Sequence, residues 1–445
     1  MKNALNSVLF LIAGTFTFHT AMSQQVQLGT QQNPITLQQL WDKAASTNKT
    51  VLMRKLEVQA GNEELKDAKT EKLPDIKAYG EYARVSNMPL YENGLLNKPE
   101  QFPVLHTYYK VGGDAYLNLY NGGKTNNKIA EQKTLIKIKE EQQSMTTSSV
   151  KLQATGYYLD LVRGKLFKQY ILSHIADEEK QLQHIRQLQK SGVILKSDVL
   201  RAELQLSKLQ LSLHTIENDL AIANQKLNLL LGQNESIENV PVSNPGTDSL
   251  VLKSYEDYLN DAFLHSYNYK ISEGQTELKA LQVKDVKANL SPKIGLFANY
   301  NYAYPEIQFY PYGAALYGLG MAGVRASFPI SGFYQNKHKV KASELEYKAQ
   351  ELEHANTADV VRQQVNESYL RYKEALDRMD VAKKNIDQAV ENARIVHNTY
   401  FNQLSLITDL LDADTQVLQT RFDLVAAQTA AAYQYYQLQN AIGNL

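Results

Sequence analysis

A helical pattern runs from 124 to 190 without a proline, and a second of nearly the same length runs from 334 to 402. About 67 helical residues span roughly 100 Å at 1.5 Å per residue. No rod of that length folds into one compact core, so it must find neighbours along its whole length. The two rods are copies. Tyr158 and Leu159 reappear as Tyr369 and Leu370, Asp198 as Asp409 and Ala202 as Ala413, all at a shift of 211. "LPDIKAYGEY" from Leu73 faces "SPKIGLFANY" from Ser291 at a shift of 218, and "NGGKTNN" at 121 faces "SGFYQNK" at 331. A repeat of this kind fixes the architecture before any single motif does.

Each copy reads in one order. A helix of about 35 residues (36–70; 254–288) ends at a proline, and two alternating segments follow around a tyrosine- and proline-rich loop. The long helix comes next, then a turn, then a returning helix of about 35 residues (198–232; 409–443). Two half-length helices end to end cover one long helix. The segment 232–249, "GQNESIENVPVSNPGTDS", reads as a linker between repeats spanning 24–231 and 250–445.

The returning helices carry Val199, Ala202, Leu206, Leu209, Leu213 and Ile216, and later Leu410, Ala413, Val417, Thr420 and Leu424, at alternating steps of three and four. That is the 3.5-residue period of knobs-into-holes packing. Extra apolar positions, Leu204 and Leu211, predict a second contact face and so a wall of helices; a simple two-stranded coiled coil is the alternative.

Four segments alternate at period two. In 110–120, Val111, Gly113, Ala115, Leu117 and Leu119 oppose Lys110, Asp114, Tyr116, Asn118 and Tyr120. Ile294, Leu296, Ala298, Tyr300 and Tyr302 share a face in 294–304, as do Ala322, Val324 and Ala326 in 316–328; 76–85 alternates less cleanly. Runs of about 10 residues suit tilted transmembrane strands, and Tyr91, Tyr304, Tyr310 and Tyr312 suit a headgroup boundary. Four strands cannot close a barrel, and lipid does not tolerate an open sheet edge. Either the sheet is a soluble one, or several chains pool strands; three chains would supply twelve.

Lys+Arg and Asp+Glu are equal at 47 each, so no net field draws nucleic acid. The absence of cysteine removes disulfides and thiol chemistry. The first 23 residues, with Lys2, an apolar run from Val8 to Phe18 and Ala21-Met22-Ser23, read as a secretory signal peptide rather than a membrane anchor. "GLGMAG" at 318–323 fits a nucleotide-binding glycine pattern but lies in an alternating strand with no helix opening on it. His174 and His184, ten residues apart on one helix, read as surface residues and not as metal ligands. No nucleophile motif, metal cluster or cofactor site is recognised, and the chain does not read as an enzyme.

"SGVILKSDVLRAELQL" (191–206), "YFNQLSLITDLLDADTQVLQTRFDLVAAQ" (400–428), "LYNGGKTNNKIAEQ" (119–132), "FPISGFYQNKHKV" (328–340) and the terminal "YYQLQNAIG", in this order, resemble the TolC-like outer-membrane efflux factors. The resemblance implies a mainly α chain with a β minority. It implies a homotrimer that forms a twelve-stranded outer-membrane barrel, four strands per chain, continued by a periplasmic coiled-coil tunnel. It further implies contact with outer-membrane lipid, docking to a periplasmic adaptor, and an inner-membrane pump or ABC transporter that supplies the energy for efflux or type I secretion. The entrance gate would fall on Asp409 and Asp412, and the adaptor-docking tips on Gly192, Val193, Ser197, Asp198, Leu406 and Thr408. Asp198 and Asp409 could equally cap their helices; Asp412, one turn deeper, is less easily explained so. A ring of these carboxylates from three chains would draw cations. Gln403 stands where the first copy has Gly192, which leaves the shape of the second turn open. A non-conducting periplasmic coiled-coil scaffold is the alternative reading of function.

Overall fold

The computed structural model describes residues 32–102, 104–242, 251–305 and 313–445. The segment expected to be a signal peptide, and Tyr310 and Tyr312, lie outside them. In chain order the elements are β1 (Gln32–Ile35), α1 (Leu37–Thr47), α2 (Lys49–Thr70), β2 (Asp75–Arg84), β3 (Met88–Leu90), β4 (Glu100–Phe102), β5 (Thr107–Tyr120), α3 (Lys124–Lys190) and α4 (Lys196–Leu230). Then come β6 (Glu238–Pro241), α5 (Tyr255–His265), α6 (Tyr267–Ala288), β7 (Lys293–Tyr304), β8 (Tyr317–Ser327), α7 (Gly332–Gln335), α8 (Lys337–Phe401) and α9 (Ile407–Ile442). The fold is the duplicated one expected, mainly helical with a four-stranded antiparallel sheet.

One lateral order runs through the molecule. The sheet is ordered β2-β5-β7-β8. Below it, α2 packs on α3, α3 on α6 and α6 on α8; further along, α4 packs on α3, α3 on α9 and α9 on α8. Each strand therefore continues into the helix of its own lane, and the half-length helices share lanes: α2 hands over to α4, and α6 to α9. Both outer edges of this sheet of elements, β2/α2/α4 and β8/α8, have no further strand or long helix alongside them among the described residues.

The first helix of each copy was expected to be continuous. It is broken, at Asn48 and at Ser266, which are equivalent at the shift of 218. Both residues take extended ψ angles, 129° and 123°. The Asn48 side chain accepts from the Thr50 and Val51 amides and donates to Leu230 O at 2.9 Å. In the second copy the end of α9 comes against the break: a Cβ on Gly443 (φ +84°) would stand 2.2 Å from His265 O. The returning helix ends here because its lane is taken over, and the break lets α1 and α5 step aside. Around the first break lies the largest core, with Leu40, Ala44, Val51, Ala154, Tyr158, Leu161 and Leu227 buried.

The linker is less plain than its sequence. β6 pairs in parallel with β1, Asn33 opposite Asn239 and Pro34 opposite Val240. Asn239, 3 % exposed, bonds the side chains of Asn224, Asn228, Asn33 and Gln233. Buried amides that satisfy one another fasten this segment to α4. A short hairpin, β3–β4, also occupies the loop between β2 and β5.

Candidate functional site

The strand register settles which side chains share a face. Ala298 lies opposite Ala115 and Ala322, Leu296 opposite Leu117 and Val324, Tyr302 opposite Val111 and Gly318, and Ala115 opposite Ile76. This face is apolar across all four strands, with Arg84 at the last position of β2 its single charge. It is also open: Ile76 is 73 % exposed and Val324 65 %. The other face carries Asp75, Lys77, Glu81, Lys110, Asp114, Lys293 and Arg325. There Lys77 pairs with Asp75 at 2.8 Å, and Arg325 lies over the Phe297 ring. A sheet with one apolar exposed face and one charged face is built for an apolar solvent outside and water inside. Tyrosines gather at one rim, with Tyr109 stacked on Tyr304 at 5.1 Å and Tyr300 edge-on to Tyr302. The "GLGMAG" glycines lie within β8, as the alternation implied: a Cβ on Gly320 would stand 2.7 Å from the Tyr300 ring.

The helical edges are apolar too. On α4, Leu200, Leu204, Leu211, Ile222 and Leu229 are each at least half exposed. On α8, Leu345, Leu352 and Val381 are open in the same way, and Val390 and Ile395 are exposed by nearly half. The second contact face expected from Leu204 and Leu211 is thus present and uncovered within one chain. The inner stripe is filled as expected, with Val199, Ala202, Leu209, Ile216, Ala223 and Leu227 buried.

At the far end α3, α4, α8 and α9 meet. Leu182, Ile185, Val199, Ala202, Tyr400, Ile407, Leu410 and Leu411 form one cluster beneath both turns. The turns have the same hydrogen bonds. Gly192 N donates to Gln189 O and Val193 N to Leu188 O, each at 3.0 Å; Gln403 N donates to Tyr400 O and Leu404 N to Thr399 O, each at 2.8 Å. This paired closure of a helix C-terminus needs a left-handed residue. Gly192 supplies it at φ +75°, and Gln403 takes the same conformation at φ +60°. The second turn therefore keeps the first turn's shape despite the side chain. Gln403 is the one non-glycine residue with positive φ among the described residues. Gln403→Gly is expected to raise stability by about 0.5–1 kcal/mol, read as a higher midpoint in thermal unfolding.

Asp198 and Asp409 both cap. The Leu195 amide donates to Asp198 Oδ2 at 3.2 Å, and the Leu406 amide to Asp409 Oδ2 at 3.1 Å. Asp412 is exposed and has no hydrogen bond or ion pair among the described residues, so capping accounts for Asp409 and not for Asp412. Val193 is 46 % exposed, Leu406 69 %, and Ser197 and Gly192 are open; Thr408 is half-buried. The structure thus brings all eight expected tip residues to one end.

What the sequence missed here is polar. His174 is not a surface residue: its side chain is 15 % exposed, and its Nε2 lies 3.6 Å from a carboxylate oxygen of Glu178, itself 3 % exposed. Its one sequence signal was Glu178 in an otherwise apolar stripe. Among the described residues no group of side chains has the arrangement of a metal site, and no helix is long and apolar enough to cross a membrane.

Residues 272–444 match the family described as outer membrane efflux protein. No curated protein matches the chain. The fold is shared with solved outer-membrane channels at low identity. CusC superposes with a TM-score of 0.76 at 15 % identity, over 92 % of each chain. VceC of Vibrio cholerae gives 0.73 at 16 %, over 92 % of this chain and 96 % of that one. MtrE of Neisseria gonorrhoeae, solved in an open state, gives 0.71 at 16 %, over 92 % and 88 %.

Proposed function

We propose, from the match of residues 272–444 to the outer membrane efflux protein family and from the open edges of the fold, that three copies of the chain close into one passive exit duct. It is an outer-membrane efflux channel that reaches into the periplasm. One observation carries the trimer: the sheet has a lipid-compatible outer face but two unpaired edges, β2 and β8. An edge in lipid leaves a row of backbone groups unsatisfied at several kcal/mol each. Pairing β8 of one copy with β2 of the next removes every edge, and three copies give twelve strands. The same operation sets the open stripe of α8 against the open stripe of α4 and the exposed Leu52, Met53 and Leu56 of α2 in the neighbour. The charged face of the sheet then lines the lumen.

The duct supplies no energy; an inner-membrane pump or ABC transporter does, reached through a periplasmic adaptor. The tips are the docking surface we assign to that adaptor, through Gly192, Val193, Ser197, Asp198, Leu406 and Thr408, with Val193 and Leu406 as exposed apolar contacts. Asp409 and Asp412 are the gate we assign to the entrance. A non-conducting periplasmic scaffold would have no use for an apolar, exposed sheet face. Sedimentation of the detergent-extracted protein is expected to give the mass of three chains, and planar bilayers to show a cation-favouring conductance. Monomers that fold correctly without detergent would refute the reading.

A further inference from the structure

The buried stripe of α3 near the tips runs Ile171, Ile175, Glu178, Leu182, Ile185, in steps of four and three. Glu178 therefore places a carboxyl where a coiled coil takes an apolar knob. It lies between two apolar clusters, one holding Ile171, Ile175 and Leu418, the other Leu182, Ile185 and Leu410. Leu206 of α4 packs against both. Ionisable groups reach this layer from three helices. On α3 stand His174 and Asp177; on α9 stand Asp414 and Arg421; His397 of α8 acts through Asp414. Its Nε2 lies 2.7 Å from Asp414 Oδ1, and Gln181 of α3 donates to Asp414 Oδ2 at 3.4 Å. His174 Nε2 is buried with no hydrogen-bond partner. Asp414 thus ties α9 to both long helices, two residues beyond the gate residue Asp412, and its charge reaches the Glu178 carboxyl, which is 3 % exposed.

We propose that this layer is a proton-operated latch between α3 and α9. With Glu178 neutral, Asp414, 13 % exposed, is the one largely buried carboxylate of the layer, since Asp177 is 69 % exposed, and α9 stays seated on α3. With Glu178 ionised, its buried charge is repelled by that of Asp414, and the first turns of α9 loosen from α3. The seated state keeps the entrance closed, so the duct is held shut in acid. This step rests on the duct reading above; the loosening of α9 does not.

The direction in pH follows from the group's surroundings. Burial raises the Glu178 carboxyl from 4.5 to about 7, with the charges of Asp414 and Asp177 adding to the rise. An acid raised in the packed state stabilises that state fully below about 4.5, and this support is lost as pH climbs through about 7. Burial holds the His174 imidazole below its usual value, so it adds no compensating cation in this window.

Hydrogen–deuterium exchange on the full chain in detergent tests the latch without requiring conduction. Between pH 5 and pH 8, after correction for intrinsic rates, amides of 407–418 are expected to lose protection several-fold in the wild type. Glu178→Gln keeps the shape without the charge, and Glu178→Leu restores an apolar knob; both are expected to stay protected throughout. A wild-type loss equal to that of Glu178→Gln would overturn the latch. Bilayer conductance over the same range is expected to rise with pH in the wild type and to stay low in both variants. Exchange that follows this pattern in a protein that never conducts would keep the latch and refute the duct.

Discussion

Ala298→Arg is expected to abolish the folded oligomer. Ala298 sits mid-strand on the apolar face, flanked in register by Ala115 and Ala322. An arginine at the middle of a barrel's lipid face costs about 2–4 kcal/mol. Threefold closure would impose that cost three times in one assembly, against a total stability of order 5–15 kcal/mol for an ordinary domain. The neighbouring position gives the control. Asn299 points to the charged face, opposite Asp114 and Met321. Asn299→Arg should therefore leave the oligomer intact and shift the ion preference of the pore. A heat-modifiable band on gels of detergent-extracted membranes reads the first effect, and reversal potentials read the second. Equal oligomer yields from Ala298→Arg and wild type would mean that the apolar face does not meet lipid.

Asp412→Ala is expected to raise single-channel conductance several-fold and reduce its preference for cations. The entrance of the proposed duct would carry Asp409 and Asp412 from each of three chains. Closely spaced carboxylates draw cations and repel anions, and hydrogen bonds from neighbouring helices to such a ring hold an entrance narrow. Asp409 is the poorer probe, because its Oδ2 caps the Leu406 amide, and removing a cap costs about 1 kcal/mol of helix stability. An altered conductance in Asp409→Ala would mix gating with unfolding of the turn. Asp412 is exposed and makes no hydrogen bond or ion pair among the described residues, so its replacement changes charge and little else. Unchanged conductance and selectivity in Asp412→Ala would remove it from the gate.

Much of the architecture was open to reading because two periods do not interfere. The 3.5-residue stripe beginning Val199, Ala202, Leu206 and Leu209 marks a lengthwise helix contact, and the two-residue alternation of Val111, Gly113 and Ala115 marks a sheet face. Duplication let each copy check the other: α3 runs over the expected residues, and the four long strands fall within three residues of theirs. The breaks at Asn48 and Ser266 escaped notice because each lies inside an otherwise continuous helical pattern. Their cause is a neighbour, the end of a returning helix, and not a proline. Asn48-Lys49-Thr50 does carry the mark of a helix start, an asparagine whose side chain reaches the second and third amides. The buried setting of His174 and Glu178 escaped for a similar reason, since a lone acid among charged helical residues reads as solvated.

The sequence alone determined the long helices and the four long strands, their duplication and the division of each strand into two faces. Those follow from local preference and periodicity, which act over a few residues. Only the tertiary structure decided the lateral order of the lanes, the two open edges, the left-handed Gln403 and the meeting of Glu178, Asp414, His174 and His397. Those depend on groups as much as 240 residues apart that no local pattern relates, because burial is a property of what packs against a residue and not of the residue itself.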